Sequence, residues 1–148
     1  MLSVSHGLTG AFIASKISNP YIAVPLILAS HYIEDYIPHW DVGQGLTKHL
    51  KSKKSAFIEE LLIDFPLSLI FVFLFFQIGR PFNPLPWVGW LIGILPDFLE
   101  APRNFLGYEP AFLKPLNEFH HHFHRSTPDK FKGLWPQVAV ILGIFLLR

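Results

Sequence analysis

The sequence predicts an all-α fold, a small helical membrane bundle of about four to five apolar helices plus one polar helix. Composition is the first reason. Of the 148 residues, 51% are hydrophobic and only 16% charged, against roughly 25% charged in an average soluble domain. Phenylalanine alone occurs 15 times. A domain this small has a large surface to cover with polar groups, and this chain has few. Pattern is the second reason. The apolar residues come in long unbroken runs, which mark buried or membrane helices rather than alternating strands. The competing reading is a soluble helical domain with a large core, or an obligate oligomer. The length suits a single domain spanning residues 1–148.

The runs follow one another in order. Val4 to Ser15 is apolar and small, with His6 its one titratable side chain, and ends at Lys16, Asn19 and Pro20. Ile17 to Ile33 is uncharged apart from His31 and closes on Glu34 and Asp35. Pro20 suits a helix start, and Pro25 either kinks that helix or marks its true first turn. Asp41 to Ser55 reads as a loop, with two glycines and a tail carrying Lys48, Lys51, Lys53 and Lys54. Leu61 to Ile78 is the strongest candidate span, its sole charge being Asp64. Pro81 to Pro96 is the next, with Trp87 and Trp90 near its start, where interfacial aromatics belong. Ala101 to Lys132 is polar and is expected to hold a helix through Asn117–His124. Gly133 to Leu147 is the last apolar run. Several runs fall short of the ~20 residues that span a bilayer comfortably, the first and last most of all. The N-terminus does not read as a cleavable signal, because no basic residue precedes its first apolar stretch.

Charge then sets a topology. If all five runs cross, one side receives Lys48, Lys51, Lys53, Lys54, Arg103, Lys114, Arg125, Lys130 and Lys132, and the other only Lys16, Arg80 and Arg148. The richer side is expected to be cytoplasmic, which makes the chain an integral membrane protein of the bacterial inner-membrane type. Net charge is +1, and no basic stripe interleaves with aromatics, so nucleic acid is not an expected partner. The lipid bilayer is.

Cysteine is absent, so any metal must be held by His, Asp and Glu. His31 and Asp35 lie four apart and share a helical face, and Pro38 ends the helix so that His39 or Asp41 approaches from another direction. His120 and His124 are four apart, and His121 and His124 three apart, so either pair can chelate from one face. Asp97 directly follows an apolar run, where an unpartnered carboxylate is costly, and Glu100 lies three beyond it. His6 maps to the same membrane face as all of these. The alternative readings are solvated helix ends, an interfacial histidine belt or a pH-sensitive patch. Asp64 and Glu100 are the candidate general bases, although a carboxylate near a helix N-terminus is also favoured by the helix dipole alone. Arg125, Lys130 and Lys132 follow the histidines and are candidates for holding a phosphate. No phosphate loop, nucleophile elbow or His-Glu-x-x-His helix is present.

In order along nearly the whole chain, Ser5-His6-x-x-x-Gly10, Ser30-His31-x-x-x-Asp35-x-x-Pro38-His39-Trp40-Asp41, Leu95-Pro96-Asp97 and His121-x-x-His124 resemble small bacterial membrane-bound metal-dependent hydrolases. A fainter resemblance is to the helical zinc-dependent phospholipase C and nuclease family, which uses a trinuclear zinc cluster. This chain is shorter, and its gap from Asp35 to His39 is shorter too. One or two ions, with zinc the expected metal, is therefore the reading carried forward. By position the resemblance implies His6, His31, Asp35, His39, Asp97, His121 and His124 as ligands. It also implies hydrolysis of a phosphoester or lipid-related ester at the cytoplasmic membrane face. The rival is a non-catalytic membrane protein that binds metal, senses pH or docks a partner through the same cluster.

Overall fold

The computed structural model describes residues 1–46 and 51–148; Lys48 of the lysine-rich loop lies outside them. The fold is all-helical. In order come α1 (Ser3–Lys16), α2 (Pro20–Tyr36), α3 (Lys53–Glu59), α4 (Phe65–Phe76), α5 (Leu85–Ala101), α6 (Lys114–Phe123) and α7 (Lys130–Leu147). Among the described residues there is no strand, only a single parallel bridge between His39 and Ser126.

Local chemistry explains the boundaries. Asn19 caps α2, its side chain accepting from the Tyr21 amide at 3.0 Å, and Pro20 occupies the first turn, where its missing N–H costs nothing. Pro25 is accommodated inside α2, which runs unbroken to Tyr36. Asp129 caps α7 through the Lys132 amide at 3.1 Å. Two stretches widen to π-helix, Glu60–Asp64 between α3 and α4, and Pro102–Leu106 after α5. Pro66 follows the first and Pro102 opens the second, and each lacks the N–H that a regular α-turn needs. Such bulges recur at functional sites.

The first apolar run, one of the two weakest candidate spans by sequence, is the centre of the fold. α1 packs against α2, α4, α5 and α7, and most of its residues are buried. Val4, Leu8 and Ala11 form the main core with Val72, Phe75 and Phe76 of α4, Trp90 and Ile94 of α5, and Ile144 of α7. The α1–α5 crossing is backbone against backbone. A Cβ at Gly10 would collide with the Gly89 carbonyl, and one at Gly93 with the His6 carbonyl. Small residues at such crossings let helices approach closely.

The expectation of four to five membrane-length apolar helices is not met. Among the described residues only α7 is long and apolar enough to cross a membrane, with 18 residues, mean hydropathy 1.4 and 17% of that span buried. The others are too short. α1 has 14 residues, α4 has 12, and α2 and α5 have 17 each, and at 1.5 Å per residue a 14-residue helix covers only about 21 Å. The outward faces are nonetheless apolar. Ile22 and Ile33 of α2, Ile70 and Phe73 of α4, Val88 and Leu91 of α5, and Leu142 and Phe145 of α7 are all exposed.

The glycine crossing yields a direct test. Gly10→Val forces α1 off α5 and is expected to destabilise the fold by about 1–3 kcal/mol or more. Gly143→Ala, whose added Cβ meets nothing within 4 Å, is expected to be neutral or stabilising by up to about 1 kcal/mol. Thermal unfolding of the two variants in the same detergent checks the contrast; equal shifts would contradict the packing described.

Candidate metal centre

Five pieces of chain converge at one end of the bundle. α1 supplies His6, α2 supplies His31 and Asp35, and α5 supplies Asp97. The segment after α2 supplies His39 and Asp41, and α6 with its C-terminal extension supplies His120 and His124. A small backbone ladder clamps the non-helical parts together. The Arg125 amide donates to the Asp35 carbonyl at 2.9 Å, the His39 amide to the Arg125 carbonyl at 3.0 Å, and the Thr127 amide to the His39 carbonyl at 2.7 Å. This ladder seats His39 against His124.

Asp35 lies at the middle, fully buried, and its two oxygens face two groups of donors. Around Oδ2, the His31 Nε2 lies at 3.4 Å and the His120 Nε2 at 2.7 Å. The two imidazole nitrogens are 3.3 Å apart, and the Asp97 Oδ1 is 3.8 Å from the first and 3.6 Å from the second. Around Oδ1, the His39 Nε2 lies at 3.6 Å and is 3.1 Å from the His124 Nε2. The Asp41 Oδ2 is 3.5 Å from both of these nitrogens. In each group one donor atom per residue falls within 4.8 Å of the others, His31, Asp35, Asp97 and His120 in the first, Asp35, His39 and His124 in the second. Zinc–nitrogen bonds of 2.0–2.1 Å in a tetrahedron place donors roughly 3.3 Å apart, so the spacing suits a divalent ion.

The outer ring nitrogens show why the inner ones point inward. The His31 Nδ1 is 2.8 Å from the Gly93 carbonyl, and the His39 Nδ1 is 2.8 Å from the Ile37 carbonyl. A carbonyl only accepts, which assigns the proton of each neutral ring to Nδ1 and leaves an Nε2 lone pair facing the cluster. The His6 Nδ1 is 2.9 Å from the Glu34 Oε2, and the Thr9 hydroxyl donates to the other Glu34 oxygen. The His120 Nδ1 is 3.5 Å from the Glu100 Oε2. An acceptor hydrogen-bonded to a histidine's outer nitrogen is the usual support of a metal site; His31 and His39 have one, while the outer nitrogens of His6 and His120 face carboxylates without forming a hydrogen bond. Convergent lone pairs and buried carboxylates repel one another unless a cation lies between them, and the Met1 ammonium meets only the Asp35 Oδ1 side. The Asp41 Oδ2 is accordingly buried without a hydrogen-bond partner.

The sequence-derived candidates sort clearly. His31, Asp35, Asp97, His39, His120 and His124 meet in the cluster. His6 joins them, its ring stacked on His31 at 3.9 Å and its Nε2 3.0 Å from the Asp35 Oδ1. His121 does not; it is exposed. Leu113, Asn117, His120 and His124 follow the four-three-four spacing of the inward face, and His121 is turned away from it, so the donor brought into the cluster is His120. Glu100 sits behind His120 and pairs with Arg103. Asp64 spends both oxygens on α1, accepting from the Ser3 amide at 2.7 Å and the Val4 amide at 3.3 Å; it closes the N-terminus of that helix from a neighbouring element. The cations sit outside the cluster. The Arg125 guanidinium stacks 3.6 Å over the Tyr36 ring, Lys130 lies over the Trp40 ring, and Lys132 is exposed beside Asp129.

Sequence reasoning missed several participants. The Met1 amino group donates to the Asp35 Oδ1 and lies 2.8 Å from the His6 Nε2. Gln137 of α7, almost fully buried, donates to the Trp40 carbonyl at 2.7 Å and accepts from the Leu2 amide at 2.9 Å. A lone glutamine in an apolar run was the signal for it. Glu60 also went unnoticed, and it lines a cavity of about 200 Å³ beside the cluster, together with Asp41, Asp97 and His124.

Electrostatics follow the geometry. Burial pushes the His124 imidazole down to about 4, against the pull of Asp35, so the ring is neutral and able to ligate at neutral pH. Burial would raise the Asp41 carboxyl, but His39 and His124 beside it hold it below its ordinary value. Burial and the neighbouring Asp64 raise the Glu60 carboxyl to about 7, while its Oε1 accepts from the Ser3 hydroxyl at 2.7 Å. No family model, curated protein or solved structure matches the chain, so the chemistry of this centre is argued from its geometry.

Glu60 supplies a pH-dependent prediction. Its folded-state value of about 7 exceeds the ordinary glutamate value of ≈ 4.3, so the folded protein keeps a proton that the unfolded chain has released. Stability therefore falls as pH rises between those values. Glu60→Gln is expected to gain melting temperature over the parent as pH goes from 4.5 to 7, with no further gain above. A difference independent of pH would contradict the assignment.

Proposed function

We propose that the protein is a membrane-associated, divalent-metal-dependent hydrolase acting on an ester at the cytoplasmic membrane face. The carrying observation is the double donor set around Asp35, with an acceptor behind each of His6, His31, His39 and His120. His31, His120, Asp35 and Asp97 would hold one ion, and His39, His124, Asp35 and Asp41 a second. Zinc suits the all-nitrogen-and-oxygen set at these separations. A bound divalent ion supplies Lewis acidity, polarising a carbonyl or phosphoryl oxygen and acidifying water.

The chain's own residues do the rest. Asp97 is half-buried and, with Asp41 and His124, borders the cavity, so the ester is received on that side. Glu60 lines the same cavity, and its carboxyl titrates near neutrality, which suits a group that takes and returns a proton. It replaces Asp64, whose oxygens are committed to α1, and Glu100, which is paired with Arg103 and oriented toward His120. Leu61, Phe65 and Phe98 on the cavity wall limit water access. The exposed apolar faces of α2, α4, α5 and α7 exceed what a monomer in water presents and support membrane association.

A second reading is favoured by one observation. The set around Asp35 Oδ2 already offers four protein donors, as closed structural metal sites do. On that reading the protein binds metal without catalysis.

Elemental analysis of detergent-purified protein tests the proposal beside a His31→Ala/Asp35→Ala variant of matched folding. Near-stoichiometric zinc, manganese or iron in the parent and its loss in the variant is the expected result; no metal in the parent after divalent ions are added back would sink the proposal. Cobalt substitution then separates the two readings. Added acetohydroxamate is expected to change the cobalt spectrum through an open position, and an unchanged spectrum would favour the closed, non-catalytic site.

A further inference from the structure

The cavity beside the metal centre has two ends of opposite character. One end is the donor cluster, represented by Asp41, Asp97 and His124. The other is apolar, built from Phe57, Leu61, Phe65, Ile94, Phe98 and Phe105. Two aromatic pairs close its sides. The Phe57 and Phe105 rings lie 5.6 Å apart and the Phe65 and Phe98 rings 5.7 Å apart, each close to perpendicular. The two π-helical segments flank it, contributing Glu60 and Leu61 from one and Asn104 and Phe105 from the other.

Two features narrow the occupant. Among the described residues no Lys or Arg lines the cavity, while Asp41, Glu60, Asp97 and Glu100 do. Its side chains therefore offer no fixed cation to an anionic group lying beyond the donor cluster. The apolar rim is open as well, because Phe57, Leu61 and Phe98 are 43%, 49% and 44% exposed. They continue into the outward apolar surface formed by Ile58, Leu62 and Leu95. A pocket with apolar walls and a few polar groups at one end orients an amphipathic ligand. Its mouth opens where the protein surface itself is apolar.

We infer that this cavity receives an acyl chain of a membrane lipid, entering between the α3–α4 side and α5, and so brings the lipid's ester linkage to the donor cluster. The inference rests on the ester-hydrolase reading for its chemistry, but the binding of the chain is tested separately from metal binding and turnover.

The probe is phosphatidylcholine with a photoreactive diazirine at the end of one acyl chain, held in a nanodisc with the full chain. After irradiation, labelled peptides are mapped by mass spectrometry. Labelling of Ile94 and Phe65 is expected, since Ile94 is 1% exposed and is reached only through the cavity. Leu61→Trp or Phe98→Trp, each at the exposed rim, is expected to abolish that labelling. Leu26→Trp, on the outward face of α2, is expected to leave it unchanged. Label confined to outward residues such as Leu142 would overturn the inference. So would cavity labelling obtained only from detergent-dispersed free fatty acid. Metal-stripped protein run in parallel separates the two claims. Cavity labelling in protein that takes up no zinc would uphold the pocket and fail the hydrolase reading, and zinc uptake without cavity labelling would do the reverse.

Discussion

The structure depends on one constraint, that several imidazole lone pairs and two buried carboxylates face one another around Asp35. Four of these histidines have an acceptor behind them. His31 is held by the Gly93 carbonyl and His39 by the Ile37 carbonyl. Glu34 stands behind His6 and Glu100 behind His120. For His31 and His39 the hydrogen bond to the outer nitrogen fixes the tautomer and aims the other nitrogen. The Met1 ammonium meets Asp35 Oδ1, but the acceptors around Oδ2 repel one another in a desolvated site unless a cation lies among them.

The fold reads as the scaffold for that convergence. The Gly93 carbonyl can reach His31 because α1 and α5 cross in near backbone contact at Gly10, Gly89 and Gly93. The same crossing brings His6 over His31. Asp64 closes the start of α1, and Gln137 ties the start of α1 to Trp40 and thus to the His39–Asp41 segment. Polar residues placed singly in apolar runs therefore each serve the centre or the helix that carries it. None is a stray charge left in an apolar environment.

Much of this was legible in the sequence. Asn19 and Pro20 located the start of α2, whereas Pro25, Pro96 and Pro136 lie inside helices; the i, i+4 spacing of His31 and Asp35 placed them on one face. The expectation that His6, His31, His39, Asp97, His120 and His124 share one face agrees with their meeting at one end of the bundle, although the five crossings assumed for it are not found among the described residues. What the sequence did not reveal depends on tertiary approach. Run length overstated the apolar spans, because continuous hydrophobicity does not distinguish a helix buried at the centre, such as α1, from one facing lipid. Spacing alone left His120 and His121 equivalent; the neighbours of α6 decide between them. Asp64 and Glu60 lie one turn apart on one π-bulged segment, and only packing shows that the first is consumed by α1 and the second faces the cavity.

The most direct test is nitrogen-15 NMR of histidine-labelled protein, recorded metal-free and after zinc is added. The account predicts Nδ1-protonated rings for His31 and His39 in the metal-free state. It further predicts that zinc shifts the Nε2 resonances of His31, His39, His120 and His124 while His121 and His122, exposed on α6, stay unchanged. Nε2-protonated rings for His31 and His39, or zinc shifts confined to His121 and His122, would contradict it.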